Sequence, residues 1–105
     1  MKVDFNQMFL AIDSSPLKDG DGTSITLKKI AIQVLAYTVF PDERELPGEK
    51  KAERFNLALK IQANDVLDLK AEEIAEIKKL IGKSQSYTPV IVGQAWAMLE
   101  GGAEK

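Results

Sequence analysis

Four stretches of helix-spaced apolar residues, each closed by a residue that ends helices, constrain this chain more than any other feature. Leu27, Ile30, Ala31, Val34 and Leu35 share one helical face. The helix they predict runs from Leu27 to about Val39, where Pro41 stops it. A second helix starts at Pro47 or Gly48 and ends at Ala63, with Asn64 expected in the left-handed C-terminal position. Its predicted inner face holds Phe55, Ala58 and Leu59 with Leu57 and Ile61, leaving Lys50, Lys51, Glu53 and Lys60 outside. A third runs from Ala71 to Ile81, where Ile74, Ile77 and Ile81 recur beside Leu80. Glu72 and Glu73 open that helix and Lys78 and Lys79 lie near its end, which suits the helix dipole; Gly82 reads as its stop. Thr88 as N-cap and Pro89 at the first helical position start a fourth, which runs to about Glu100. Val92, Ala95, Trp96 and Leu99 form its apolar face, with the core as the expected home of Trp96. Gly93 weakens that helix, and Val90 to Val92 also suits a strand, so both readings stay open there.

The first quarter has a different period. Met8, Leu10 and Ile12 share one parity; Val3, Phe5, Phe9 and Ala11 share the other. Residues 3–13 therefore read as a strand with both faces partly apolar. Either both faces are covered, or one is held for a partner. Residues 14–22 are turn-forming throughout, and Thr23 to Thr26 can return as the second strand of a hairpin. Thr26 is also the expected N-cap of the first helix. Val66 to Leu69 is a short third strand or an extended link. The expected fold class is α+β, an N-terminal hairpin packed on four helices. A length of 105 residues fits one domain, with residues 101–105 expected to fray. No internal repeat, low-complexity tract or linker is evident.

The chain has no histidine and no cysteine. That removes disulfides, thiolate chemistry, and the commonest general base and transition-metal ligand. Only carboxylate or lysine chemistry is left to an enzyme, and no motif supports it. The net charge of −2 does not suit a duplex-binding protein. The apolar run from Met8 to Ile12 is too short for a signal peptide, and no stretch approaches the ~20 apolar residues of a membrane span. A cytoplasmic location is the expectation.

Each candidate site has a plainer alternative. Asp19, Gly20, Asp21 and Gly22 suggest a calcium loop, but with Gly22 in the sixth place Leu17 and Lys28 occupy the first and twelfth. A hairpin turn explains them better. Lys78, Lys79 and Lys83, with Lys50, Lys51, Arg54 and Lys60, could form a basic surface. Glu49, Glu53, Glu72, Glu73 and Glu76 are interspersed with them, so a solvated face of mixed charge is favoured. Tyr87, in a loop beside Pro89, is the better aromatic for an exposed contact. No catalytic, cofactor-binding or metal-binding residue is assigned. The candidate partner contacts are Phe5, Phe9, Tyr87, Lys78, Lys79 and Lys83.

Thr26–Leu27 opens a helix; Gly48 to Lys51 with Arg54 precedes Leu57 to Ile61; Ile77 to Lys83 and Val92 to Ala95 follow. Together these runs resemble small proteins encoded by tailed phages and prophages, over most of the chain. The resemblance implies a bacterial cytoplasm and an accessory or assembly role, and it transfers no activity and no functional residue. The expected function is a non-enzymatic protein–protein interaction or assembly module, with self-association in keeping with so small a domain. The alternative is a nucleic-acid-binding accessory protein that uses the lysines of the second and third helices.

Overall fold

The computed structural model describes residues 1–100; the expected fraying of 101–105 lies outside them. The α+β class is as the sequence predicts. A two-stranded antiparallel sheet, β1 (Lys2–Asp4) and β2 (Val66–Asp68), accompanies four helices: α1 (Leu27–Ala36), α2 (Gly48–Ala63), α3 (Ala71–Lys83) and α4 (Pro89–Leu99). A single 3-10 turn, Pro41–Glu43, stands between α1 and α2. None of these helices is long and apolar enough to cross a membrane.

The sheet is not the expected hairpin. Val3 pairs with Leu67, not with the Thr23–Thr26 segment, so the short third segment is the true strand partner. Phe5 extends the pairing by donating its N–H to the Asp65 carbonyl at 2.7 Å, while its own carbonyl accepts from Lys28 at the start of α1. One residue thereby ties the N-terminal strand to both the α2–β2 connection and α1.

Residues 7–27 instead close a triangle. Phe9 N–H donates to Ile25 C=O, Ile25 N–H to Leu17 C=O, and Leu17 N–H to Phe9 C=O, each at 3.0 Å. Each side is a short antiparallel bridge: Met8 with Thr26, Leu10 with Pro16, and Lys18 with Ser24. The three ring residues are spaced eight apart, and so are the turns between them. Ser14 N–H bonds Ala11 C=O, and Gly22 N–H bonds Asp19 C=O. The Asp13 carboxylate accepts from Ser15 N–H, and the Asp21 carboxylate from Thr23 N–H. Ser14 and Gly22 both have positive φ, at 72° and 85°. This is an internal repeat of two units that the sequence reading missed. The units share only the side-chain-capped turn, Asp-Ser-Ser against Asp-Gly-Thr, and that is too little to stand out from ordinary loop composition. Pro16 is tolerated because in its bridge to Leu10 the flanking residues, not Pro16, supply the N–H groups.

The helices follow their predicted periods with informative exceptions. Thr26 caps α1, its hydroxyl accepting from Lys29 N–H at 3.3 Å. The helix ends at Ala36 rather than near Val39, because Pro41 holds Phe40 extended and Thr38 donates its hydroxyl to the Gln33 carbonyl. Asn64 is extended, not left-handed; its amide bonds back to the Lys60 carbonyl. Gly82 lies inside α3, which runs on to Lys83. Its role is close approach rather than termination: a Cβ there would lie 3.2 Å from the Trp96 ring. Residues 90–93 are helical.

The core takes Val3 and Phe5 from the N-terminal strand segment, Phe9 from the triangle, and one face of each helix. Leu27 and Val34, Ile61, Ile77 with Leu80 and Ile81, and Leu99 are fully buried. The α1 and α3 faces match their sequence patterns. On α2 the buried residues are Arg54, Leu57, Ala58 and Ile61, and Phe55 and Leu59 point outward. On α4, Ile91, Ala95, Met98 and Leu99 face inward. Trp96, expected in the core, lies at the surface with its indole N–H donating to the Lys78 carbonyl at 3.1 Å.

Candidate functional site

Burial removes two of the expected contact residues. Phe5 and Phe9 are 0% exposed and belong to the core, so no partner reaches them. The outward parity of that segment is the other one, Met8, Leu10 and Ile12. Of the two apolar parities in residues 3–13, one meets the core and the other is left in solvent.

The lysines do not gather into a basic patch. Lys78 lies 4.8 Å from the centre of the Trp96 ring and 3.3 Å from the Glu100 carboxylate. Lys83 pairs with Glu43 at 2.7 Å and Asp42 at 3.3 Å, and sits over the Phe40 ring. Lys79 is exposed. Tyr87 is half-buried against the core beside Ile25 and Ile32, in an open groove of about 720 Å³, and burial raises its pKa. The structure therefore separates the six expected contacts: two in the core, two in ion pairs, one in a groove wall, and Lys79 alone at the surface.

Arg54, read from sequence as an element of a basic surface, is instead a buried cation. Its Nη1 and Nη2 donate to the two carboxylate oxygens of Glu43 at 2.8 and 2.9 Å, and its Nε donates to Glu76 at 2.9 Å. This fork-to-fork geometry suits arginine and no other side chain. The Arg54 guanidinium holds the Glu43 carboxyl well below its ordinary range, at about 2. Glu43 in turn raises the Arg54 pKa. Burial works against the charge on Lys83, but its bonds to Glu43 and Asp42 outweigh that and raise its pKa as well. The network pins the 3-10 turn to α2 and α3.

By pinning that turn, the network shapes a groove of about 290 Å³ between the end of α1 and the start of α2. Leu35, Ala36 and Phe40 lie along it, and Val39, Leu46 and Phe55 form its apolar lining nearer solvent. Val39 is 91% exposed and Phe55 is 55% exposed. Leu59, also exposed, continues the stripe one turn along α2. Arg44 and Lys51 stand at the groove and form no ion pair among the described residues. Among the described residues the only carboxylate lining it, Glu43, is already engaged by Arg54 and Lys83. Sequence periodicity missed this surface because Phe55 and Leu59 fit an apolar helical face, and Val39 fits a helix tail.

Comparison with protein-family models, curated proteins and solved structures finds no match to this chain.

Proposed function

We propose that this chain is a non-catalytic protein–protein interaction and assembly module that works through the groove between α1 and α2. One observation carries the reading: Val39, Phe55 and Leu59 are exposed together on a surface whose framework is locked by the buried Arg54. A monomer gains nothing from leaving such side chains in water, whereas an interface gains about 25 cal/mol per Å² of apolar area it covers. A large aromatic residue beside an arginine that has no ion pair among the described residues also resembles the composition of interface centres. The most buried charged groups, Arg54, Glu43 and Glu76, are paired with one another in the wall of the groove and beside it, which fits a structural role for them. A bacterial cytoplasm, with an accessory role in phage or prophage assembly, is the setting this proposal adopts.

The test is affinity capture from bacterial cytoplasm with the wild type and a Val39→Lys/Phe55→Arg double variant. The wild type should retain a specific protein, including further copies of itself. The double variant should retain at least about tenfold less, the loss of one hot spot, with an unchanged melting temperature. Equal capture by both proteins removes the groove from the function.

A further inference from the structure

The two most exposed large apolar side chains of the molecule are Val39 and Ile12, at 91% and 89%. They lie on the two segments that flank α1 in the chain. Val39 follows its C-terminal end and lines the Arg44/Lys51 groove. Ile12 sits in the first turn of the triangle, whose Gln7 carbonyl accepts from Leu27 N–H at the start of α1. The turn is firmly held. Ala11 N–H bonds Ser15 C=O, and the Asp13 carboxylate takes both the N–H and the hydroxyl of Ser15. The neighbouring Leu10 backbone is clamped by Gln94 from α4. Ile12 is thus a rigid apolar knob, and the carboxylate beside it is exposed. Hydrogen bonding from Ser15 holds the Asp13 pKa low, so this carboxylate stays charged.

The knob and the groove are complementary in charge. The groove, at about 290 Å³ and partly open to solvent, has room for an aliphatic side chain. The groove presents two cations that have no carboxylate partner among the described residues, and the knob carries one exposed carboxylate.

We propose that the occupant of the α1–α2 groove is the Ile12–Asp13 turn of a second copy of this chain, with Ile12 between Val39 and Phe55 and Asp13 facing Arg44 and Lys51. This rests on the groove being the functional surface. The contact joins two different patches, so it is heterologous: each protomer offers one knob and one separate groove. Such contacts repeat until they close into a ring, or else they run on as a filament.

Light scattering across a concentration series tests this with three proteins: wild type, Ile12→Ser and Val39→Lys. Both substituted side chains are almost wholly exposed, so the fold should tolerate the changes. The wild type should exceed the 11.6 kDa protomer mass as concentration rises. Each single variant alone should stay at the monomer mass. A mixture of the two should form a one-to-one pair and nothing larger, because one intact knob meets one intact groove. An Asp13→Lys variant should lose the association and regain it in an Arg44→Glu/Lys51→Glu background. A wild type that stays monomeric throughout, or a mixture that fails to pair, overturns the self-docking. If the monomeric wild type still captures a different protein and Val39→Lys abolishes that capture, the groove keeps its function and only its occupant is wrong.

Discussion

The carboxamide of Gln94 satisfies both backbone groups of Leu10. Its Nε2 donates to the Leu10 carbonyl at 2.6 Å, and its Oε1 accepts from the Leu10 N–H at 3.0 Å. A neighbouring β-strand would make the same pair of bonds, and one side chain on α4 replaces it. The contact spans most of the chain and docks the N-terminal triangle onto the last helix.

Replacing Gln94 with Leu keeps the helix and removes the pair. We expect a loss of about 1 kcal/mol in urea denaturation, because both Leu10 groups can turn to water. Amide exchange at Leu10 should accelerate. Gln94→Glu should cost more than Gln94→Leu at neutral pH, since a carboxylate can accept from the N–H but repels the carbonyl. Equal losses for the two variants would show that the carbonyl bond is immaterial.

The Arg54 network gives a pH dependence with a definite sign. The Glu43 pKa is about 2 in the folded chain against an ordinary 4.5. A depressed folded pKa means stability that is complete above pH 4.5 and is lost as pH falls toward 2. Arg54→Met leaves Glu43 and Glu76 facing an apolar side chain, and should cost about 3 kcal/mol at neutral pH, the low end for a broken buried pair because Lys83 remains. The variant's stability should vary less than the wild type's across that acid window. Parallel pH profiles would refute the assignment.

Ser14 and Gly22 occupy equivalent turns with positive φ, yet only one is glycine. Opposite outcomes follow. Ser14→Gly should stabilise by roughly 0.5 kcal/mol, and Gly22→Ala should destabilise by about 1 kcal/mol, as the left-handed region penalises a Cβ. Thermal melts of the two variants check the pair; a shift of the same sign in both would break the equivalence of the turns.

Gly82 and Trp96 should be coupled. Alanine in a helix interior is worth about 1 kcal/mol over glycine, but at Gly82 its Cβ would press on the indole at 3.2 Å. In the wild type, Gly82→Ala should bring little or no gain and should shift the Trp96 fluorescence. In a Trp96→Ala background the full gain should appear. A double-mutant cycle measures the difference, expected at about 0.5–1 kcal/mol; additive effects would mean the ring moves aside freely.

Local chemistry written in the sequence determined a good part of this protein. The inner faces of α1 and α3, the Thr26 cap, Pro89 at the start of α4 and the turn character of residues 14–22 depend on neighbours within one helical turn or one loop. Helix period and turn preference suffice for them. Tertiary structure alone decided the rest. On α2, Phe55, Leu57, Ala58, Leu59 and Ile61 cover more than one face, and the inward face was chosen by Arg54 meeting Glu43 and Glu76, residues from elsewhere in the chain. Phe5 and Phe9 went inside because β1 pairs with Val66–Asp68 and the triangle closes on Ile25, both non-local bonds that periodicity does not encode. Trp96 came to the surface because α3 approaches closely at Gly82, leaving the indole to lie over it. The candidate interaction surface is the residue of those choices: the apolar side chains that the core, once its non-local partners were set, did not take.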